Sequence, residues 1–173
     1  MTYNANAQMW KRRVYLSLGS NVGDREANLR RAIDLLGAEH IPVVKQSSIY
    51  ETEPQDVPDQ PWFYNLVAEC ETQCFPLQLL SILQGIEREA GRKRGAGEVR
   101  RGPRVIDIDI LLCGEVTMTL PQLTLPHPRM LERRFVLEPL AEIAPELRDA
   151  RTGELFRELL PKLTGQQIRK VTP

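Results

Sequence analysis

Gly102-Pro103-Arg104-Val105-Ile106-Asp107-Ile108-Asp109-Ile110 sets two carboxylates alternating with Ile in a segment that otherwise has the composition of a buried strand. Strand side chains alternate faces. Asp107 and Asp109 therefore share one face, about 7 Å apart along the chain, while Ile106, Ile108 and Ile110 share the other. Aspartate is depleted in strands, and two like charges on one face need open water or a strong counter-charge. A hard cation supplies such a charge, and Mg²⁺ is typically held by one or two carboxylates with phosphate oxygens completing its octahedron. The same alternation also describes the solvated face of an antiparallel strand, so the flanking sequence has to decide.

Immediately upstream, Arg92, Lys93, Arg94, Arg100, Arg101 and Arg104 face a single acid, Glu98, and are threaded with Gly91, Gly95, Gly97, Gly102 and Pro103. A basic segment punctuated by glycine does not settle into a stable helix and is expected to form a mobile loop. Guanidinium groups on such a loop can clamp phosphate bidentately. Taken alone, the stretch reads as an ordinary solvated loop. Basic loop and acidic strand in direct succession are more specific, because together they make the two halves of a metal-phosphate site.

With 173 residues the chain is expected to form one domain, residues 13–173, able to bury a core without staples. Lys plus Arg and Asp plus Glu balance at 23 each, so the arginine cluster reads as a local site rather than part of a polyanion surface, and no nucleic-acid partner is expected. No apolar run reaches membrane-spanning length, and residues 1–13 lack the hydrophobic segment of a signal peptide. A cytoplasmic monomer without membrane contact is the expectation. Cys70, Cys74 and Cys113 form no C-x-x-C pair and are expected to be reduced, and His40 and His127 are too few for a zinc site.

Residues 1–12 are polar and aperiodic, which suggests a disordered extension. Arg13–Leu18 reads as a strand, followed by Asp24 as N-cap of a helix over Arg25–Leu36 that stops at Gly37. Val43–Thr52 reads as a second strand, and Pro54, Pro58 and Pro61 mark a loop. A third strand is expected over Phe63–Glu71 and a helix from Pro76 to Ala90, whose apolar stripe leaves Gln84 and Glu87 near its edge. The Asp strand should run through Leu112, with a short strand near Val116–Thr119. Beyond the proline-rich stretch Pro121–Pro128, helices are expected over Met130–Ile143 and Leu155–Leu163. Strands joined by both hairpins and crossovers favour an α+β layered domain with a largely antiparallel sheet flanked by helices.

The chain has no G-x-x-x-x-G-K-[ST], no dinucleotide fingerprint at Gly95-Ala96-Gly97, no G-x-S-x-G elbow and no kinase catalytic loop. It does carry Leu18-Gly19-Ser20-Asn21, Tyr50-Glu51-Thr52, Phe63-Tyr64-Asn65, the Gly102–Ile110 segment, Pro126-His127-Pro128-Arg129-Met130 with Arg133 and Phe135, then Pro139-Leu140 and Glu142-Ile143-Ala144-Pro145. In this order these motifs resemble the 6-hydroxymethyl-7,8-dihydropterin pyrophosphokinases of folate biosynthesis, over about residues 13–160. The resemblance implies a ferredoxin-like fold, with ATP and 6-hydroxymethyl-7,8-dihydropterin as partners. It also implies transfer of a diphosphate from ATP to the pterin hydroxymethyl group, releasing AMP.

By the same resemblance, Asp107 and Asp109 hold two Mg²⁺ ions bridging the triphosphate, and Arg92, Arg94 and Arg104 grip phosphates or close over the reaction. Gln84, Glu87, Arg92, Arg104, Ile110, Thr124, His127 and Arg133 correspond to ATP contacts. Phe63 and Phe135 correspond to a pair stacking the pterin ring, Asn65 to the amide reading its edge, Thr52, Glu53 and Pro54 to the wall beside it, and Asp107 to a further pterin contact. Residue types agree, because a flat heteroaromatic ring suits aromatic faces and its amide edge needs a paired donor and acceptor. Without the family, His127 reads as a surface histidine after a proline and the two Phe as core aromatics. The chain departs from the family at Arg101, where Trp is usual, at Pro128, where some relatives have Tyr, and in the extra glycines of Gly95-Ala96-Gly97.

Two other functions were weighed. An RNA-binding ferredoxin-like module would show strand aromatics in RNP-like spacing and a basic face, and it leaves Asp107 and Asp109 unexplained. An inactive paralogue serving as a scaffold is disfavoured by retention of both aspartates and the arginine set.

Overall fold

Apolar alternation along Arg12–Ser20 makes the first strand, β1, and the computed structural model describes residues 10–92 and 102–172 of the chain. Asp24 then starts helix α1, Arg25–Ala38, by accepting the Ala27 N–H at 3.0 Å. Strands β2 (Val43–Gln46), β3 (Tyr50–Thr52) and β4 (Phe63–Thr72) precede helix α2 (Pro76–Glu89). Strand β5 is Asp107–Cys113, followed by the hairpin of β6 (Met118–Leu120) and β7 (Leu123–Leu125). Helices α3 (Arg134–Ile143) and α4 (Phe156–Leu159) and a last strand, β8 (Ile168–Lys170), complete the described chain.

The main sheet runs β5-β1-β4-β3-β8, with β2 also on β4, and every pairing in it is antiparallel. One face packs on α1 and α2, burying Leu16, Leu18, Leu66, Ile108 and Ile110 against Leu29, Leu36, Leu79 and Leu83. The other packs on α3, burying Tyr15, Val67 and Leu111 against Val136, Leu137 and Leu140. Each fully buried side chain of this size contributes about 1.5–3 kcal/mol, so both layers are needed to hold the sheet. No described helix is long and apolar enough to cross a membrane. The expected helix-flanked antiparallel α+β architecture is observed.

Several boundaries differ, each for a physical reason. β1 begins at Arg12, one residue inside the expected extension, and ends at Ser20. Helix α1 does not stop at Gly37, because the left-handed residue is His40, with φ 59°. His40 N–H donates to Gly37 O at 3.1 Å and that of the buried Ile41 to Leu36 O at 2.9 Å, which closes a Schellman end. Val43–Thr52 is two strands, not one: the Ser47 hydroxyl accepts the Val67 N–H at 3.0 Å, and Ser48 turns its N–H and hydroxyl to Glu142. The proline-rich stretch Pro121–Pro128 contains β7, and the strand expected near Val116–Thr119 is β6. The helix expected over Met130–Ile143 breaks at extended Arg133 into a 3-10 turn, Met130–Glu132, and α3. The one over Leu155–Leu163 likewise divides into α4 and a 3-10 turn, Leu160–Lys162. Strand β8 was not expected at all. Lys93–Arg101, with Arg94, lies outside the described residues.

Candidate active site

Helix α3 covers only part of its side of the sheet. On β5 the outward row runs Leu111, Asp109, Asp107, and only Leu111 lies under α3. The sheet register sets Gly19 of β1 beside both Asp107 and Asn65, and Ser17 beside both Asp109 and Val67. Beyond the helix, the adjacent strands β5, β1 and β4 therefore floor a cavity of about 370 Å³. Its floor is Ser17, Gly19, Phe63, Asn65, Asp107 and Asp109; Thr52–Asp56 and Gln60 form one wall, and His127–Arg129, Arg133 and Phe135 the opposite one.

Gly19, between Asp107 and Asn65, has no room for a side chain. A Cβ added at Gly19 would lie 2.5 Å from Asn65 Oδ1 and 3.7 Å from Phe63 Cδ1. With strands spaced about 4.8 Å apart, Asp107 and Asn65 stand roughly 10 Å from each other across that gap, room for a flat ring to approach the sheet. Asn65 is buried and donates to Thr52 Oγ1 at 2.7 Å, which orients its amide. Phe63 on the floor and Phe135 in the wall both line the cavity, each near a guanidinium: Arg104 lies 5.4 Å from the Phe63 centroid and Arg133 lies 5.5 Å from that of Phe135.

The counter-charge on Asp107 is arginine. Arg92 Nη1 donates to its Oδ1 at 2.5 Å and Arg104 Nη1 approaches Oδ2 at 3.1 Å. Beneath them, Glu87, 2% exposed, accepts from Arg92 at 2.5 Å and from the Ile108 N–H at 2.8 Å, so α2 and β5 jointly aim Arg92 into the cavity. Asp109 keeps 43% of its side chain open to the cavity, with Arg133 at 4.0 Å. Crowding walls that limit its hydration, and the Asp107 charge beside it, hold its carboxyl well above the ordinary range.

His127 is pushed the other way, down to about 4, by burial and by Arg133 and Arg129. It is neutral at pH 7. Its Nδ1 accepts the Arg129 N–H at 3.1 Å, which leaves Nε2–H as the donor.

The structure thus gathers Thr52, Glu53, Pro54, Phe63, Asn65, Arg92, Arg104, Asp107, Asp109, His127, Arg133 and Phe135 around one cavity. Gln84, Glu87, Ile110 and Thr124 do not line it; Glu87 lies under Arg92, and Ile110 is in the core. Sequence reasoning missed Asp56, which pairs with Arg129 at 2.8 and 3.2 Å and with Arg133 at 3.7 Å, joining the two walls. It also left without a role Asn21, whose Oδ1 accepts the Arg104 N–H at 2.8 Å while its Nδ2 donates to Gln60 Oε1 and Pro61 O, both at 3.0 Å. The turn-type cluster Gly19-Ser20-Asn21 closing a strand was the available signal for Asn21. Asp56 had none. Among the described residues no group of three or more His, Cys, Asp or Glu forms a cage, but Mg²⁺ with a phosphate ligand requires only one or two carboxylates.

Comparisons with known proteins agree with this arrangement. Residues 15–145 match the family model described as 7,8-dihydro-6-hydroxymethylpterin-pyrophosphokinase. The 2-amino-4-hydroxy-6-hydroxymethyldihydropteridine pyrophosphokinase of Bacillus subtilis is 48% identical over 147 residues, covering 84% of this chain and 86% of that protein. The Folic acid synthesis protein fol1 of Pneumocystis carinii is 41% identical over 160 residues, 92% of this chain but 21% of the longer fungal protein. A Plasmodium falciparum HPPK-DHPS crystal structure with pteroate superposes at a TM-score of 0.70 with 17% identity, covering 88% of this chain and 42% of that one, which shows the fold.

Proposed function

The chain belongs to the 7,8-dihydro-6-hydroxymethylpterin-pyrophosphokinase family, and from that premise we propose that its cavity binds ATP and 6-hydroxymethyl-7,8-dihydropterin side by side. The hydroxymethyl oxygen attacks the β-phosphorus of ATP and loses its proton; the bond from that phosphorus to the α,β-bridging oxygen breaks, and AMP leaves. The product is the pterin diphosphate of folate biosynthesis.

The observation that carries this reading is the placement of Asp107 and Asp109 on the same cavity floor as Phe63 and Asn65. Two carboxylates on one strand face suit Mg²⁺ shared with phosphate. Asp107 and Asp109 would hold two such ions, which supply charge neutralisation of the triphosphate and a clamp on the attacking and leaving oxygens. Arg92 and Arg104, which pair with Asp107 in this structure, would grip phosphate oxygens bidentately. Arg94 is assigned the same role by resemblance. Neutral His127 offers an N–H donor to phosphate without adding a positive charge to the site. Arg133 adds positive charge on the His127 side, and the adenosine end of ATP is assigned to Gln84, Glu87, Ile110 and Thr124 by resemblance alone.

For the pterin, Phe63 and Phe135 offer the stacking faces. Asn65, held by Thr52, and the Thr52–Pro54 wall read the amide edge. The test is incubation with ATP, Mg²⁺ and the reduced pterin, resolving nucleotide products. AMP in equal amount to pterin diphosphate is expected; ADP, or no nucleotide consumption, overturns the reading.

A further inference from the structure

Strand β8 lies beyond residues 15–145 matched by the family model and outside the cavity lining, yet β8 and the two residues before it, Gln166 and Gln167, bond to both walls of the pocket assigned to pterin. It pairs with β3, Ile168 opposite Thr52 and Lys170 opposite Tyr50. One step further, the Glu53 N–H donates to Gln167 O at 3.3 Å and the Gln167 N–H to the Glu53 carboxylate at 2.8 Å. The preceding residue, Gln166, turns to the opposite wall. Its Oε1 accepts the Arg134 N–H at 2.8 Å and its Nε2 donates to Glu132 O at 2.9 Å.

These partners dictate the amide's orientation, since an N–H can only donate and a carbonyl can only accept. The contacts bracket Arg133, the extended residue between the 3-10 turn and α3. A helix start leaves backbone N–H groups without intrahelical partners, and Arg133 at the N-cap gives α3 no side-chain cap. Gln166 supplies that cap from a distant part of the chain. The first turn of α3 carries Phe135 into the cavity, so the place of this ring is tied through Gln166 to β8, and through β8 to Thr52 and Glu53. The Arg133 guanidinium has its own anchors, Asp56 at 3.7 Å and Asp109 at 4.0 Å, whereas Phe135 is held by packing against the core under α3 and by the helix start that Gln166 caps.

We infer that Gln166 is a positioning residue for the pterin site, setting the span between Phe135 and the Thr52–Pro54 wall. This rests on the assignment of that pocket to pterin. Gln166→Met keeps the side-chain length and removes both hydrogen bonds; Gln166→Glu keeps the acceptor for Arg134 and loses the donor to Glu132. Calorimetric titration with 6-hydroxymethyl-7,8-dihydropterin, with steady-state kinetics alongside, reads the effect. Loss of hydrogen bonds at this helix start is expected to weaken pterin binding by about three- to tenfold in Gln166→Met and by less in Gln166→Glu. Pterin KM rises in step, while kcat and ATP KM stay within about twofold, a split that a general loosening of the fold does not produce. Wild-type pterin affinity in Gln166→Met, or equal losses for ATP and pterin, overturns the inference while the pocket assignment stands. A wild-type protein that binds no pterin overturns both.

Discussion

Gly19 and Asn65 are opposite each other on neighbouring strands, so close that a Cβ on Gly19 would sit 2.5 Å from Asn65 Oδ1. Asn65 cannot retreat freely, because its Nδ2 is bonded to buried Thr52. A methyl group here must displace the Asn65 amide, which is proposed to read the pterin edge. Gly19→Ala is expected to cost about 1–3 kcal/mol of stability by overpacking. Pterin affinity should fall about tenfold or more as the amide moves off its partner. Urea unfolding and pterin titration check the two parts, and an alanine variant with unchanged pterin binding removes Asn65 from the recognition edge.

A metal held by Asp109, as proposed, would have its binding tied to pH. The Asp109 carboxyl is raised, by restricted hydration and the Asp107 charge, above the roughly 3.9 of an unfolded aspartate. Between those two values the folded protein holds a proton that the unfolded chain has released, so this group makes stability fall as pH rises through that window. A cation on the aspartates favours the ionised form, so Mg²⁺ binding should release a proton and cancel the slope. Thermal unfolding across the window, with and without Mg²⁺, should show that pH dependence in the wild type and its loss in Asp109→Asn. The same slope in both proteins excludes Asp109 as its source.

For His127 the sign reverses. Burial and two arginines lower its pKa to about 4, against roughly 6.5 unfolded, so its neutral form contributes stability that is lost as pH falls between those values. Its ring signals in NMR should show no titration near pH 6.5. On the proposed role as a neutral donor to phosphate, His127→Ala should lower kcat/KM by roughly tenfold or more, the worth of one hydrogen bond to a charged group. An imidazole that titrates near 6.5 contradicts this account.

The acidic strand could be read from sequence because alternation needs nothing but the strand itself: Ile108 and Ile110 are buried and Asp107 and Asp109 face the cavity. The start of α1 was legible for the same reason, since Asp24 caps its own neighbours. Elements set by distant partners were not. The break at Ser47 depends on Val67 and Glu142, and that at Arg133 on Gln166. Helix α1 overran Gly37 because its closing hydrogen bonds, and the buried Ile41 that follows, put the left-handed position at His40. At the site, charged and aromatic residues on strands could be placed by register, whereas Asp56 sits in an aperiodic proline-rich loop and meets Arg129 only in the folded chain.

The central claim is that Asp107 and Asp109 serve transfer of the diphosphate in this cavity rather than merely a charged surface. Single-turnover formation of AMP from enzyme-bound ATP and reduced pterin in Mg²⁺ tests it most directly, with Asp107→Asn and Asp109→Asn compared with wild type at saturating substrates. Losing a carboxylate that carries the charge neutralisation should raise the barrier by about 3 kcal/mol or more, a slowing of at least about a hundredfold in each variant. Single-turnover rates within a few-fold of wild type in either variant would contradict the account.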